Sequence, residues 1–274
     1  MNMLPLHIGV IGAGNMGGAF IKALSQHPQL RIFIYDRNPP KIEALVRERE
    51  NCQACDSAEH VAAFSDLILL AVKPQMLLNV VREITHMLNP EKTLLSIAAG
   101  VSSENIAQAC GHSCPVVRIM PNTPLLVGEG VFALALDDPA LSQDKRQLIT
   151  DLLEDMGRVY VMPENKIDAF SAVVGSGPGF MYLLWQAFEE AAVALGFPRK
   201  DAREMALATA KGAALLAEHT GQDFYKLYEM VASPGGTTIA GAMHLERSGA
   251  KGHIADAIIK AYARAQELAQ NQQK

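Results

Sequence analysis

The sequence is poor in the features that mark several large classes of protein. It has no run of lysine or arginine and a net charge of −5, which disfavours nucleic acid and acidic membrane surfaces as partners. Its start lacks a basic segment followed by a long apolar one, and no apolar stretch reaches the about 20 residues that cross a bilayer. We therefore expect a cytoplasmic protein with neither nucleic acid nor membrane among its partners.

Cysteine is scarce, and its spacing does not favour a metal site. Cys52 and Cys55 have the separation of a zinc half-site, but Cys110 and Cys114 have three residues between them. The single Glu-x-x-His match, at Glu83, has no second copy that would complete a metal centre. Free, reduced thiols and the absence of a metal are the better interpretation.

The first half of the chain alternates between two hydrophobic patterns. Short β-branched runs predict buried strands at residues 8–11, 31–35, 67–72, 93–97 and 116–120. Amphipathic stretches between them predict helices at residues 16–25, 40–50, 59–64, 75–87 and 103–110. This repetition predicts an α/β domain with a Rossmann-type, doubly wound parallel sheet. A strand at 131–136, a helix at 143–156 and a strand at 158–162 extend it, so that the domain covers residues 1–162.

The character of the chain changes after Pro163, where segments rich in Ala, Leu, Met and Glu replace the β-branched runs. Their spacing predicts helices at residues 180–195, 200–219, 239–248 and 252–272. An all-helical C-terminal dimerisation domain would then cover residues 163–274. Because its helices carry many alanines and little charge on one face, we expect them to pack against a second copy in a homodimer.

A Gly-x-Gly-x-x-Gly fingerprint, Gly12 to Gly17, follows the first predicted strand and opens the first helix. In that context the first glycine makes a tight turn, the second lets a pyrophosphate approach the backbone, and the third packs helix on strand. The motif therefore predicts a dinucleotide site, with a plain glycine-rich turn as the alternative.

The end of the second strand carries opposing signals about the cofactor. Asp36 stands where an acidic residue holds a ribose 2′-hydroxyl, which favours NAD(H). Arg37 comes next and would attract a 2′-phosphate, which favours NADP(H). We favour NADP(H) and keep NAD(H) as the alternative; Asp36 as a cap of the following helix is an equally good interpretation.

Two turns follow later strands, at the sheet edge where ligands bind in such folds. The segment from Ala71 to Pro74 is one, and the segment from Arg118 to Pro124 is the other. Asn122 in the second turn offers an amide for the nicotinamide or the substrate. Either turn is also compatible with a rigid connection.

Residues Ser233 to Thr238, with the sequence Ser-Pro-Gly-Gly-Thr-Thr, open a predicted helix. A Pro-Gly-Gly bend at a helix start directs hydroxyls and free backbone N–H groups to one point. This segment, called the cradle below, suits a small carboxylate substrate.

Six motifs in this order resemble one family, the pyrroline-5-carboxylate reductases, which form proline by reducing a cyclic imine. The motifs cover residues 11–17, 71–74, 98–100, 120–124, 175–178 and 233–238, so that the resemblance spans nearly the whole chain. The last of them is the family's signature stretch. The resemblance implies that 1-pyrroline-5-carboxylate is reduced to L-proline by hydride transfer from NAD(P)H, the last step of proline biosynthesis.

The resemblance also implies where the cofactor binds. The pyrophosphate would lie on Gly12, Ala13, Gly14, Asn15, Met16 and Gly17, and the adenosine ribose at Arg37, Asn38 and Pro39. Ser57 would be near the adenine. The nicotinamide end would be lined by Val72, Lys73, Pro74, Ala99 and Asn122.

For the substrate, the resemblance implies a site at the cradle, which a second subunit of a helix-swapped dimer contributes. The implied substrate-binding residues are Glu164, Glu218, Ser233, Gly235, Gly236, Thr237 and Thr238. Backbone N–H groups would bind the carboxylate, and the Thr238 hydroxyl would serve catalysis by hydrogen bonding to the ring nitrogen. Thr238 as a helix N-cap is the alternative. The family implies a larger assembly of dimers, such as a decamer.

Three rival functions are weighed against this one. A β-hydroxyacid dehydrogenase uses a lysine on its long interdomain helix, and residues 175–195 contain none. A catalytically silent NADP-binding sensor would keep the glycine fingerprint but would have no reason to keep the cradle. A reductase of another cyclic imine would share both features.

Overall fold

The computed structural model describes residues 6–47 and 49–271, in which an α/β fold precedes a helical region. The strands of this part are β1 (Leu6–Ile11), β2 (Leu30–Tyr35), β3 (Cys52–Ala54), β4 (Leu67–Leu70), β5 (Thr93–Ser96), β6 (Val116–Met120), β7 (Gly130–Ala135) and β8 (Gly157–Val161). The helices between them are α1 (Asn15–Leu24), α2 (Pro39–Val46), α3 (Ala58–Phe64), α4 (Pro74–Ile84), α5 (Ser103–Ala109) and α6 (Gln143–Glu154).

All eight strands form one sheet in the order β3-β2-β1-β4-β5-β6-β7-β8, with crossovers in both directions from β1. This is the doubly wound arrangement predicted from the alternating pattern, and the Rossmann-type fold class is confirmed. Strand β7 runs antiparallel to β6, whereas the other paired strands are parallel, so the predicted parallel sheet contains one antiparallel pair. The connection from β6 to β7 is too short for a parallel crossover, which needs a dozen residues or more.

Helices cover both faces of the sheet, and the central strands are buried on both sides. Every residue of β4 and β5 is buried, as expected for inner strands of a parallel sheet. On one face, Phe20 of α1 packs near Phe132 of β7, with 6.0 Å between ring centroids. On the other face, Leu77 and Ile106 are fully buried in a second apolar cluster. Both layers hold the carboxyl ends of the strands in fixed positions.

The helical region continues from the last strand. It contains α7 (Ile167–Phe170), a π-helical turn (Ser171–Gly175), α8 (Gly177–Ala194), α9 (Arg199–Thr220), α10 (Phe224–Val231), α11 (Thr237–Arg247) and α12 (Ala250–Asn271). The sequence did not predict α7, α10 or the π-helical turn. These are short elements of four, eight and five residues. The large apolar residues of α10, such as Phe224 and Val231, are exposed in the single chain.

By internal contacts the chain divides into two compact units. The sheet unit contains the described residues up to Gly175 and those from Ala261 on, and the helical unit is Ser176–Lys260. Ile167 is buried with Ala133 and Ala135 of β7, which holds the segment after Pro163 on the sheet. These units do not coincide with the predicted domains 1–162 and 163–274, which stay a prediction of how the sequence divides.

One helical stretch is long and apolar enough to cross a membrane by length and composition. Residues Glu164–Ala194 form a helical run of 31 residues, and an 18-residue window within it has a mean hydropathy of 1.2. This finding corrects the expectation that no stretch reaches such a length. A single helix of this kind is weak evidence of a membrane protein, because helices that pack in soluble proteins have similar compositions.

Candidate functional site

The glycine-rich turn between β1 and α1 has the local geometry that its sequence predicts. Gly12 has a φ of +105°, and an added Cβ would lie 2.6 Å from the Ala71 carbonyl oxygen. A Cβ on Gly17 would overlap the Gly12 carbonyl oxygen, so the first turn of α1 packs on the glycine-rich turn without a side chain at that position. At Gly14, by contrast, a Cβ would meet nothing within 4 Å. Gly12 and Gly17 are therefore in close contact with other protein atoms, whereas the space beside Gly14 is empty and leaves room for a ligand to approach the backbone.

A cleft of about 310 Å³ lies beside this turn, at the carboxyl ends of β1, β2 and β4. Five of the predicted cofactor residues line it: Gly12, Gly14, Arg37, Val72 and Lys73. Ala13 and Asn15 line a second groove, which borders the other side of the turn and is also lined by Lys22 and Arg49. The size and position of the first cleft suit part of a dinucleotide at a topological switch point.

Several residues that line the cleft were missed or not assigned a role from sequence: Ile11, Tyr35, Lys41, Ala58, Ala71, Met76, Val80 and Glu83. Most of them give the cleft an apolar wall. Met76, Val80 and Glu83 have the i, i+4, i+7 spacing of one helix face, directly after the Lys73-Pro74 turn. That spacing was a usable signal, because α4 begins at Pro74 and has one face towards the sheet edge.

Asp36 is held by backbone groups on both of its carboxylate oxygens. Oδ2 accepts a hydrogen bond from the Ala13 N–H at 2.7 Å, and Oδ1 accepts one from the Asn38 N–H at 2.8 Å. The side chain thus joins the glycine-rich turn to the turn after β2. The interpretation of Asp36 as a helix cap is wrong in detail, because the N-cap of α2 is Asn38.

Ser57 and Asn122 both have structural contacts in this unit. The Ser57 hydroxyl caps α3 by accepting a hydrogen bond from the His60 N–H at 3.2 Å, and its neighbour Ala58 lines the cleft. The Asn122 side chain is buried; Oδ1 accepts from the Val131 N–H at 2.9 Å and Nδ2 donates to a carbonyl of the π-helical turn at 3.4 Å. The geometry of Asn122 therefore favours the rigid-connection interpretation over an amide that reaches for a ligand.

Glu164, predicted to bind substrate, is the centre of a polar network in the sheet unit. One oxygen accepts from the buried Arg118 guanidinium at 3.0 Å and from the Ser103 N–H at 2.8 Å. The other accepts a short hydrogen bond from the Ser103 hydroxyl. Asp168 lies 3.8 Å from the same guanidinium. Both carboxylate oxygens are thus occupied, which favours a role in joining β6, α5 and the helical segment over a role in binding substrate.

The cradle lies in the helical unit at the start of α11. Gly235 has a φ of +70°, and Gly236 is the N-cap residue, with its N–H donating to the Ser233 carbonyl at 3.0 Å. Thr237 and Thr238 are the first two helical residues, so the alternative of Thr238 as an N-cap is wrong. No side chain caps this helix and no acidic residue lies in its first turn. The first N–H groups of α11 are thereby left for an outside acceptor.

Other predicted residues have simpler surroundings. Glu218 is exposed on α9, in the same unit as the cradle, and has a contact of its own. Pro74 is the first residue of α4, and Pro39 is the first residue of α2, where a proline costs no hydrogen bond. Met16 and Gly17 lie in the first turn of α1. Ala99 lies in the loop after β5.

The four cysteines are free and buried. Burial raises the pKa of Cys52 to about 11 and also raises the pKa of Cys55, because the thiolate is disfavoured away from water. Within the described ranges, no group of three His, Cys, Asp or Glu side chains is arranged to hold a metal ion. The arrangement supplies binding and positioning groups for an organic cofactor.

Comparison with known proteins agrees with this arrangement. The protein-family model described as pyrroline-5-carboxylate reductase dimerisation matches residues 164–268. A second family model, described as NADP oxidoreductase, coenzyme F420-dependent, matches residues 7–100. The pyrroline-5-carboxylate reductase of Escherichia coli is 34% identical, and the match covers 96% of this chain and 98% of that one. The chain belongs to the pyrroline-5-carboxylate reductase family.

Solved structures of the family match over the full length. The Plasmodium falciparum pyrroline carboxylate reductase with NADP bound is 26% identical, with a TM-score of 0.87 over 98% of this chain and all of that one (100%). The Coxiella burnetii enzyme is 29% identical, with a TM-score of 0.88 over 97% of this chain and 99% of its own. The resemblance inferred from six motifs is thus confirmed, and the dimerisation match supports homo-oligomerisation.

Proposed function

We propose that this protein reduces 1-pyrroline-5-carboxylate to L-proline with a hydride from NAD(P)H, the last step of proline biosynthesis. The observation that carries the proposal is the full-length match to curated pyrroline-5-carboxylate reductases, across both the cleft and the cradle. NADPH, when bound, supplies the hydride that adds to the imine carbon. The imine accepts the hydride in its protonated form, so that the C=N π electron pair becomes the lone pair of the ring nitrogen, and this nitrogen keeps its proton in the product amine.

The cofactor half of the proposal uses the sheet unit. Gly14 leaves room for the pyrophosphate, and the adjacent groups from Gly12 to Gly17 form its binding turn. The apolar wall formed by Met76 and Val80 suits the adenine. Val72, Lys73, Pro74 and Ala99 lie towards the nicotinamide end, as the family resemblance implies. Asn122 contributes by fixing the loop after β6 to its neighbours rather than by touching the ring.

The substrate half uses the cradle. Free N–H groups at the start of α11 suit a carboxylate, and the helix dipole adds to the attraction. The Thr238 hydroxyl is exposed in the first turn and is able to hydrogen bond to the ring nitrogen, orienting the imine and passing on its proton. Ser233, Gly235, Gly236, Thr237 and Glu218 complete this half of the proposal. Catalysis then consists mainly of holding the two reactants together.

We also propose an oligomeric state and a cellular location for the enzyme. Many large apolar side chains of the helical unit are exposed in the single chain, among them Leu183, Phe188 and Leu245. A homodimer that covers them, with each cradle completed by the other subunit, and a further assembly such as a decamer agree with the dimerisation match. A cytoplasmic location without membrane or nucleic-acid partners completes this proposal.

The first experiment follows NADPH oxidation, with NADH in parallel, by absorbance in the presence of 1-pyrroline-5-carboxylate. Proline is identified chromatographically as the product. Turnover to proline is the expected result. Cofactor binding without turnover would instead favour the silent sensor, and turnover of only other cyclic imines would move the substrate assignment.

A further inference from the structure

Two of the four free thiols are in contact with each other. The side chains of Cys110 and Cys114 are hydrogen-bonded to each other, and both belong to the apolar cluster that contains Leu77 and Ile106. This pair of side chains is called the dithiol below. Cys52 and Cys55, despite their Cys-x-x-Cys spacing, belong to apolar clusters on opposite faces of the sheet. The wider of the two spacings is therefore the one that brings two thiols together.

The turn that follows α5 explains this contact. Gly111 and His112 have positive φ angles of 62° and 55°, so the chain reverses directly after the helix. The N–H and the hydroxyl of Ser113 both donate to the Cys110 carbonyl, at 3.3 and 2.6 Å. Cys114 is thereby brought back beside Cys110. Because the two sulfurs are already in contact, bonding them needs only a local adjustment of this turn.

The dithiol is accessible from one side and differs in reactivity from the other two thiols. Cys114 lines a cavity of about 500 Å³ in the sheet unit, whereas Cys110 is fully buried. The hydrogen bond from Cys114 lowers the pKa of Cys110, which favours a thiolate. Burial instead raises the pKa of Cys52 and Cys55. Since the thiolate is the reactive form of cysteine, the dithiol is the more reactive pair.

We propose that Cys110 and Cys114 form a redox-modification site, at which hydrogen peroxide oxidises the dithiol to a disulfide. The Cys114 sulfur, which is reached through the cavity, attacks one peroxide oxygen. The S–O bond forms, the O–O bond breaks, and water leaves with the thiol proton. The Cys110 sulfur then attacks the Cys114 sulfur; the S–S bond forms, the S–O bond breaks, and a second water leaves with the Cys110 proton. The two sulfurs give up two electrons, which a dithiol reductant returns.

In this reaction Cys110 is the resolving thiol. A sulfenic acid that meets no second thiol is oxidised further to sulfinic and sulfonic acids, which simple thiols do not reduce. With Cys110 in contact, the sulfenic acid on Cys114 is converted into a disulfide that can be reduced again. The dithiol thus keeps the oxidation of this part of the sheet unit reversible.

The sequence gives the experiment an internal control. Trypsin cleaves after lysine and arginine but not before proline, so the dithiol falls on the peptide 93–118 and the other two cysteines on the peptide 50–82. The folded, full-length protein is exposed to hydrogen peroxide, its remaining thiols are alkylated in denaturant, and both peptides are followed by mass spectrometry. Peptide 93–118 is expected to lose two hydrogens and to escape alkylation about tenfold faster than peptide 50–82 is oxidised. Dithiothreitol is expected to restore both of its thiols.

Two variants test the resolving role. Cys110→Ala is expected to let Cys114 gain two or three oxygens, a change that dithiothreitol does not reverse. Cys52→Ala removes a buried thiol outside the dithiol and should leave disulfide formation in peptide 93–118 unchanged. Equal oxidation rates of the two peptides in the unaltered protein, or a dithiol that stays fully alkylatable while methionines of the same protein are oxidised, would overturn the proposal. The measurement needs no turnover, so its result is independent of the imine reduction assay.

Discussion

At the residue scale, the glycine-rich turn separates glycines needed for the fold from one available to a ligand. Gly12 and Gly17 have no space for a side chain, whereas the Gly14 position is open. The same fingerprint thus contains residues with opposite expected responses to substitution. This distinction depends on atoms of Ala71 and of the turn itself, and it gives a matched pair of variants.

Gly14→Ala is expected to keep the stability of the protein and to lose cofactor affinity by about tenfold or more, because its methyl group would occupy the space for the pyrophosphate. Gly17→Ala is expected to lower the free energy of unfolding, since its methyl would overlap the Gly12 carbonyl. Urea denaturation and calorimetry with NADPH measure both effects. Unchanged NADPH binding in a folded Gly14→Ala protein would remove the turn from the cofactor site.

Thr238 gives a second prediction at this scale. Thr238→Ala is expected to lower kcat for the imine about 10- to 100-fold, the loss of one hydrogen bond to a charged group, with little change in NADPH affinity. Thr238→Ser keeps the hydroxyl and serves as the matched control. Steady-state kinetics decide the matter, and equal kcat for Thr238→Ala and the unaltered enzyme would exclude the hydroxyl from the reaction.

At the element scale, the Arg118–Glu164 pair joins β6 to the N-terminus of α5 and to the segment that follows β8. Arg118 is 6% exposed, so removing its partner leaves a nearly buried charge. Asp168, at 3.8 Å, compensates only in part. The main effect of the Arg118–Glu164 pair is therefore to stabilise the packing of β6, α5 and the segment after β8.

Glu164→Gln is expected to lower the free energy of unfolding by roughly 2–4 kcal/mol, with KM for 1-pyrroline-5-carboxylate changed less than about twofold. Chemical denaturation and steady-state kinetics measure the two quantities. In a double-mutant cycle with Arg118→Met, the combined loss should be smaller than the sum of the single losses. A raised KM with unchanged stability would instead place Glu164 on the substrate, as the family resemblance implies.

At the scale of the whole molecule, the helical unit leaves an extensive apolar surface uncovered. Phe188 is 61% exposed on α8, and Leu183 is 65% exposed on the same helix. Isolated surface apolar residues are ordinary, but so many on one unit mark an interface. A second copy of the chain would remove this surface from water.

Phe188→Glu is therefore expected to dissociate the oligomer and to abolish turnover, because each cradle is proposed to be completed by the other subunit. Light scattering coupled to size-exclusion chromatography gives the assembly size. Phe64→Glu, at a 52% exposed phenylalanine of the sheet unit, is the control and should keep the assembly. An active Phe188→Glu monomer would contradict the proposed partnership.

The sequence determined the fold class, the order of most elements, the glycine turn and the position of the cradle. These are local properties: β-branched runs, helical spacing and glycine at turns act within a few residues of one another. The direction of β7 is not a local property, because antiparallel and parallel strands can have the same hydrophobic pattern. Strand β3 was not predicted, because it is only three residues long and its Gln53 is exposed.

Only the tertiary structure decided what the polar site residues contact. Asp36 was read as a ribose ligand or a cap, yet its oxygens meet the N–H groups of Ala13 and Asn38, the first of them 23 residues away along the chain. Glu164 meets Arg118, 46 residues away. A carboxylate binds whichever donor the packed chain brings within reach, and sequence spacing does not contain that distance. Residue type thus set the available chemistry, and packing decided which of these groups remain free for a ligand.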